Sequence, residues 1–169
     1  SEGAGEAPFG TGPHPYLVAG PGSLDEWVFG LAASEVLEVT TDRLAPVGLV
    51  TVDAAGFDYR AARVLGATEI DHAFTGLSAD ADGYTTAKLT DPSGTGVVMV
   101  WDSACPWVQV HTADQPGGPG TGGHRAGLAV EPMTCAPDAF NAENYAWDAG
   151  LLVIKPGAHV TASWRIAAA

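Results

Sequence analysis

Positive charge is scarce in this sequence. The 169 residues contain 7 Lys and Arg against 20 Asp and Glu, which gives a formal net charge of −13. A surface of this sign repels nucleic acid, anionic membranes and heavily phosphorylated ligands. We therefore expect neither nucleic acid nor a membrane as a partner, and a neutral or cationic small molecule is favoured.

Cysteine and long apolar runs are scarce as well. Cys105 and Cys135 lack the CxxC or zinc-ligand spacing of metal clusters and redox motifs, so no metal site is predicted. We expect free thiols in a reducing cytoplasm, with a single disulfide in a secreted protein as the alternative. No apolar run reaches membrane-spanning length, and no signal peptide is recognisable. The predicted location is the cytoplasm.

Glycine, proline and tryptophan are abundant instead. The 22 Gly and 12 Pro favour turns over long helices, and 46% hydrophobic residues with 5 Trp suffice for a core. The composition predicts an all-β chain in which residues 1–169 belong to one domain, without a second. The chain opens in a turn-rich stretch without an initiator Met, from which we expect truncation or processing.

Alternating residues predict most strands. Residues 106–112 place Trp107, Gln109 and His111 on one face and two core-facing valines on the other. The first face suits a sugar-like ligand, although a solvated sheet face has the same composition. Further strands are predicted at residues 35–40, 47–52, 83–89, 96–101, 127–133, 151–154 and 159–166, a turn at 136–141, and a short helix or extended loop at 57–65.

The strand predicted at 127–133 holds the first candidate catalytic residue, Glu131. The other residues on the same face of the strand, Gly127 and Ala129, are small. Burying an unpaired carboxylate costs several kcal/mol, so such a residue is exposed, paired or functional. Its small neighbours leave room for a ligand, and Pro132 favours extended geometry at Glu131. We interpret Glu131 as a fixed base.

Two further positions carry candidate polar groups. His14 stands between Pro13 and Pro15, which fix its backbone, so it is a candidate acid or base; the alternative is a turn histidine bonded to local backbone. Asp71 and His72 could both bond a ligand, but neighbours on a strand face opposite ways, so only one can face a given pocket. The alternative for this pair is a surface Asp and a core His.

A Gly- and Pro-rich stretch covers residues 114–123. A phosphate cradle would need a following helix and usually a Lys, and neither is present, so we predict a flexible loop. We expect His124 and Arg125 at its end to be exposed.

Five short motifs together resemble the aldose 1-epimerase (galactose mutarotase) family, and they occur in the order typical of that family. They are Ala7-Pro8-Phe9-Gly10 with His14-Pro15-Tyr16, Asp71-His72-Ala73-Phe74, Val108-Gln109-Val110-His111-Thr112, Gly127-Leu128-Ala129-Val130-Glu131-Pro132 and Lys155-Pro156-Gly157.

The resemblance implies an antiparallel β-sandwich enzyme of the galactose mutarotase-like (supersandwich) type. Such an enzyme interconverts the α and β anomers of a free hexose by acid and base catalysis, without a cofactor or a metal. His14 resembles the family's general acid and Glu131 its general base, while Asp71 and Gln109 resemble contacts to the sugar. His72 and His111 correspond to no clear family role.

The resemblance covers only the C-terminal part of the family's sequence. Members have nearly as much chain again before the segment that begins at Ser1, and that half supplies an arginine and a second histidine to the sugar site. We expect the sandwich to be incomplete without it, so this chain is either a truncated product or one whose N-terminal half is a separate chain. Otherwise its exposed strand edges should promote association.

Three alternatives to a free-hexose epimerase stay open. A hexose-6-phosphate 1-epimerase would need clustered basic residues, and the seven cations here are not clustered. A catalytically silent carbohydrate-binding β-sandwich would keep the polar pocket without the reaction. A purely structural or assembly role would require only pairing with another half.

Overall fold

The computed structural model describes residues 2–169, and most of its regular structure is β-strand. The strands are β1 (Ala7–Phe9), β2 (Tyr16–Leu17), β3 (Val28–Leu31), β4 (Glu35–Val39), β5 (Pro46–Thr51), β6 (Arg63–Val64), β7 (Asp71–Thr75), β8 (Tyr84–Thr90), β9 (Gly96–Asp102), β10 (Trp107–His111), β11 (Leu128–Met133), β12 (Leu152–Ile154) and β13 (Trp164–Ala168).

Helical structure is limited to short segments. The α-helix α1 spans Val52–Ala55, and 3₁₀ segments span Leu24–Glu26, Gly118–Gly120 and Ala139–Asn144. None of the helices in residues 2–169 is long and apolar enough to cross a membrane. The all-β prediction from the glycine and proline content is confirmed.

The strands form three antiparallel sheets. A six-stranded sheet has the order β2-β11-β10-β7-β4-β5, a five-stranded sheet has the order β13-β9-β8-β3-β6, and β1 pairs with β12. Strands that are distant in sequence become neighbours in this order, and β11 lies between β2 and β10.

The main core lies between the two larger sheets. Its fully buried side chains come from both sheets, which identifies a face-to-face sandwich. The six-stranded sheet contributes Val36, Phe74, Val108, Val110, Leu128 and Val130, and the five-stranded sheet contributes Phe29, Leu31, Ala87, Leu89, Met99 and Trp101. The predicted inward orientation of Val108 and Val110 is confirmed, because both are 0% exposed.

The outer face of the six-stranded sheet is covered in one part. Trp107, Leu37 and Ala73 on this face pack against small residues of the segment that follows β11. The polar side chains of β10, β11 and β7 lie on the same face, because side chains alternate along each strand. The candidate site is built on these strands.

Some predicted boundaries were wrong by a few residues. The strand predicted at 47–52 is β5, which ends at Thr51. Thr51 caps the next element, because its Oγ1 accepts a hydrogen bond of 3.3 Å from the backbone N–H of Ala54. Val52 therefore begins α1. Residues 57–65, for which a short helix or an extended loop was predicted, form a loop with β6 near its end.

The last strand starts later than predicted. It was predicted at residues 159–166, but its pairing with β9 begins at Trp164, which is the strand partner of Trp101. Residues 159–163 precede this pairing. The Asp102 carboxylate at the end of β9 accepts a hydrogen bond of 2.9 Å from the backbone N–H of Ser163, so the approach to β13 runs past the end of β9. The turn predicted at 136–141 is partly the 3₁₀ segment Ala139–Asn144.

The prediction that His124 and Arg125 are exposed was wrong. The side chain of Arg125 is only 11% exposed. Its guanidinium group bonds the carboxylates of Asp25 at 2.7 Å and Asp114 at 2.8 Å, together with the backbone carbonyls of Gly66 and Thr68. His124 is half-buried, and its Nδ1 accepts a bond from the backbone of Gln115. Arg125 thus ties three loops together.

We expect Arg125→Met to lower the free energy of unfolding by about 1–3 kcal/mol, because Asp114 and two backbone carbonyls lose their donor. Urea unfolding followed by tryptophan fluorescence measures this change. Arg60→Met is the matched control, because Arg60 also bonds two carboxylates, Asp53 and Asp58, but is far more exposed. Equal effects of the two substitutions would contradict a special role for the burial of Arg125.

Candidate active site

Pro132 interrupts the hydrogen bonding between β11 and the segment that precedes β2. The backbone N–H of Val130 bonds Pro15 O at 3.3 Å, and that of Thr134 bonds Thr11 O at 3.0 Å. Pro132 lies between these donors and has no N–H of its own, so the ladder is interrupted there. His14 lies in the stretch between the two bonded positions. Its backbone is flanked by two prolines, while its imidazole is exposed.

The structure brings His14 and Glu131 together, as the sequence analysis required. His14 Nε2 lies 3.2 Å from Glu131 Oε1. The side chain of His14 is 56% exposed and that of Glu131 is 13% exposed. An accessible imidazole therefore covers a largely buried carboxylate, and a ligand can approach both groups from the imidazole side.

Burial raises the pKa of the Glu131 carboxyl above its ordinary value. His14 and His111 oppose the rise, because positive charge on either imidazole favours the carboxylate, while the negative charge of Asp71 adds to the rise. A carboxylate with a raised pKa is a stronger proton acceptor than an exposed glutamate.

Gln109 lies on β10 between Glu131 of β11 and the strand that carries Asp71, β7. It is the direct cross-strand partner of Glu131 on one side and of Ala73 on the other. Its Nε2 donates a hydrogen bond of 2.7 Å to Asp71 Oδ1. Gln109 Oε1 is buried and has no partner within the described part of the chain. Glu131, Gln109 and Asp71 thus lie on one face of three adjacent strands, and His14 reaches Glu131 from the segment before β2.

Asp71 and His72 face opposite ways, as predicted from their adjacency. Asp71 points to the face of Gln109, and the His72 ring lies against Phe57 with a centroid distance of 4.9 Å. Burial lowers the pKa of His72. The backbone N–H of Asp71 donates to His72 Nδ1 at 3.2 Å. His72 is thus a half-buried histidine outside the site.

Two residues of this face, His111 and Tyr16, were not among the site residues predicted from the sequence. His111 Nδ1 lies 3.8 Å from Asp71 Oδ1, and the ring of Tyr16 lies 5.1 Å from that of His14 and 6.5 Å from that of His111. The alternation of residues 107–111 already placed His111 beside Gln109. For Tyr16 the available signal was its spacing of two residues from His14 in an extended stretch.

A cleft of about 290 Å³ adjoins the carboxylate of Glu131. Residues 10–12 form one wall, and Met133, Ala139 and the exposed Phe140 contribute to the other. Its size is near the lower end of the range for ligand pockets, about 300–1,000 Å³. Within residues 2–169, no group of three or more His, Cys, Asp or Glu is arranged to hold a metal ion.

Two solved structures share this fold. A galactose mutarotase-like protein from Clostridium acetobutylicum aligns with a TM-score of 0.72 at 18% identity, covering 98% of this chain and 48% of that chain. A GalM/aldose epimerase homologue from C. elegans aligns with a TM-score of 0.73 at 17% identity, covering 97% and 52%. The predicted antiparallel sandwich of the galactose mutarotase-like type is confirmed.

Sequence comparison identifies the family. The chain is 36% identical over 135 residues to the uncharacterized protein YihR of Escherichia coli K12. The aligned region covers 80% of this chain and 40% of that relative. The chain therefore spans less than half the length of this curated relative. The family model described as aldose 1-epimerase matches residues 1–167. This chain belongs to the aldose 1-epimerase family.

Proposed function

We propose that this chain carries the acid, the base and part of the sugar contacts of an aldose 1-epimerase that interconverts the α and β anomers of a free hexose. The observation that supports the proposal most directly is the 3.2 Å approach of His14 Nε2 to Glu131 Oε1. The ring oxygen and the C1 hydroxyl of a hexose are bonded to the same carbon. An acid and a base that exchange protons with these two oxygens must therefore lie close to each other.

Ring opening needs two proton transfers. Glu131 takes the proton of the C1 hydroxyl while protonated His14 gives a proton to the ring oxygen, and the bond from C1 to the ring oxygen breaks to leave an aldehyde. After rotation about C1–C2, Glu131 returns its proton to the aldehyde oxygen, and His14 recovers its proton from the hydroxyl that attacks C1. The protein is unchanged after one turnover, and proton transfer alone completes the reaction.

The rest of the sugar must be held while C1 rotates. Asp71 and Gln109 are suited to this task, because they are held together by a 2.7 Å hydrogen bond on the same sheet face as Glu131. Gln109 occupies only one oxygen of Asp71, so Asp71 Oδ2 keeps acceptor capacity for a hydroxyl group.

The distribution of cations favours a free hexose over a hexose 6-phosphate. Arg60 and Arg125 are bonded to carboxylates elsewhere, Arg63 lies over the Tyr59 ring, and Arg165 lies over the Tyr84 ring. In the described site the cationic groups are imidazoles, and the whole chain carries a net charge of −13. A phosphate dianion would find more repulsion than attraction here.

The remaining predictions from the sequence stand beside this proposal. They are a sugar as the small-molecule partner, a separate chain that carries an N-terminal half, a single domain over residues 1–169 and a cytoplasmic location. Both cysteines are free thiols in the structure, with Cys105 buried.

Exchange-transfer NMR on anomeric protons tests the proposal in the protein that contains this chain. For a free hexose, we expect the rate of saturation transfer between the two anomeric protons to be at least ten times the rate in buffer. For glucose 6-phosphate at equal concentration, we expect less than twice the rate in buffer. Glucose and galactose are both measured.

Faster exchange of the phosphorylated sugar would replace the proposal with a hexose-6-phosphate epimerase. Binding of a hexose, detected by calorimetry, without acceleration of any free sugar would indicate a silent carbohydrate-binding protein.

A further inference from the structure

His111 occupies the end of a row of side chains across the sheet. In the strand register it pairs with Asp71 on one side and with Ala129 on the other, and Ala129 pairs with Tyr16. Paired residues lie on the same face of a sheet. Because Ala129 is small, the rings of Tyr16 and His111 approach to 6.5 Å across it. The side chain of His111 is 23% exposed, so it is held between these neighbours.

The Nδ1 atom of His111 has an unmet hydrogen-bonding capacity. It is buried and makes no hydrogen bond within the described residues. The group facing it is Asp71 Oδ1 at 3.8 Å, which is beyond hydrogen-bonding distance. A buried polar nitrogen without a partner is unfavourable, so a state in which it closes on the carboxylate would be favoured.

Asp71 has room to make this closure. Its side chain is 43% exposed, whereas the imidazole is largely enclosed. Gln109 Nε2 already holds Oδ1 at 2.7 Å, so a second donor at the same oxygen would leave Oδ2 directed away from both. Two donors fix a carboxylate more rigidly than one, and this lowers the entropy lost when a ligand hydroxyl binds.

We propose that His111 is a positioning residue for the sugar: its Nδ1–H closes on Asp71 Oδ1, and together with Gln109 it presents Asp71 Oδ2 to one hydroxyl of the hexose. This inference rests on the proposed sugar-binding function and adds a residue to it. His111 does not touch the reacting atoms, so its removal should change sugar affinity more than the rate of ring opening.

The test is a split between KM and kcat in the protein that contains this chain. His111→Phe keeps the ring shape and removes Nδ1, so KM for the preferred hexose should rise about tenfold while kcat changes less than threefold, as expected for one hydrogen bond to a charged group. His111→Asn keeps a donor near the Nδ1 position and should stay within threefold of the wild type. His111→Gln places its donor near Nε2 and should behave like His111→Phe.

A double-mutant cycle tests whether the effect passes through Asp71. In an Asp71→Asn background, His111→Phe should raise KM by less than a further twofold, since the carboxylate that His111 positions is gone. His72→Phe is the control, because His72 lies next to Asp71 but faces away from the site. Additive effects of the two substitutions, or an unchanged KM in His111→Phe, would overturn the proposal.

Failure of the positioning role can be told apart from failure of the epimerase function. Hexose affinity is measured by titration calorimetry on the same variants, and the same tenfold ratio is expected in Kd. A wild-type protein that binds hexose without exchanging anomers refutes the epimerase function while the Kd ratios still decide on His111. A protein that exchanges anomers with equal Kd in all His111 variants refutes the positioning role alone.

Discussion

Replacing Glu131 by glutamine lowers the rate of anomer exchange at least a hundred-fold in the protein that contains this chain. The amide keeps the size of the side chain but cannot accept the proton of the C1 hydroxyl, and a positioned base typically contributes about a hundred- to ten-thousand-fold. Polarimetry of freshly dissolved α-glucose or α-galactose measures the rate above the spontaneous background.

Asp138→Asn is the matched control for this substitution. Asp138 lies in the same cleft as Glu131, and it contacts Asn141 instead of the imidazole of His14. We expect it to leave the exchange rate within threefold of the wild type. A near-normal rate in Glu131→Gln would remove Glu131 from the role of base.

The pH dependence gives a second measure of the same base. Burial raises the pKa of Glu131, and a base works only when ionised. Activity is therefore present above the raised pKa and is lost as the pH falls through it, so the acid limb of kcat/KM lies above the value of about 4.3 for an ordinary glutamate. The residual activity of Glu131→Gln should lack this limb. A wild-type limb at or below the ordinary value would contradict the proposed environment of the base.

His14→Asn also reduces anomer exchange at least a hundred-fold. Asparagine is too short to place its amide at the position of Nε2, and an amide does not release a proton to the ring oxygen, so ring opening loses its acid. Because the imidazole is 56% exposed, the substitution should leave the folded state intact, and thermal unfolding should be unchanged within a few degrees. Polarimetry and calorimetric scanning measure the two quantities.

His159→Asn serves as the control for His14→Asn. His159 is another exposed histidine, in the segment between β12 and β13. Its substitution should not change the exchange rate. If both histidine variants exchange anomers at the wild-type rate, the acid is a different group, and the 3.2 Å contact of His14 with Glu131 would be a structural ion pair.

Local pattern predicted the elements well where one face of a strand is buried. The period of two in Trp107–His111 required Val108 and Val110 to point one way and Gln109 and His111 the other, because only the valines gain by burial. The small residues on the face of Glu131 are covered instead of open, because Gly127 and Ala129 are buried and the rings of Tyr16 and His111 approach across Ala129. Pattern was weaker near strand ends, where capping by Thr51 and the contact of Asp102 with Ser163 set the boundaries of β5 and β13.

Arg125 shows the limit of composition as a guide to exposure. An arginine at the end of a glycine-rich loop is usually solvated, and nothing nearby in the sequence predicts otherwise. Its two carboxylate partners, Asp25 and Asp114, come from different parts of the chain. Burial of a charged residue depends on such long-range partners, so only the folded structure shows it.

Composition, side-chain alternation and short motifs are local properties, and they were enough to predict the strand-rich class, the family and the residue types of the site. The strand order β2-β11-β10-β7 is a property of the packed sandwich, and this order brings His14 to Glu131 and places His111 beside Asp71. Pairing of distant strands depends on the packing of the whole sandwich, and no local period in the sequence encodes which strands become neighbours.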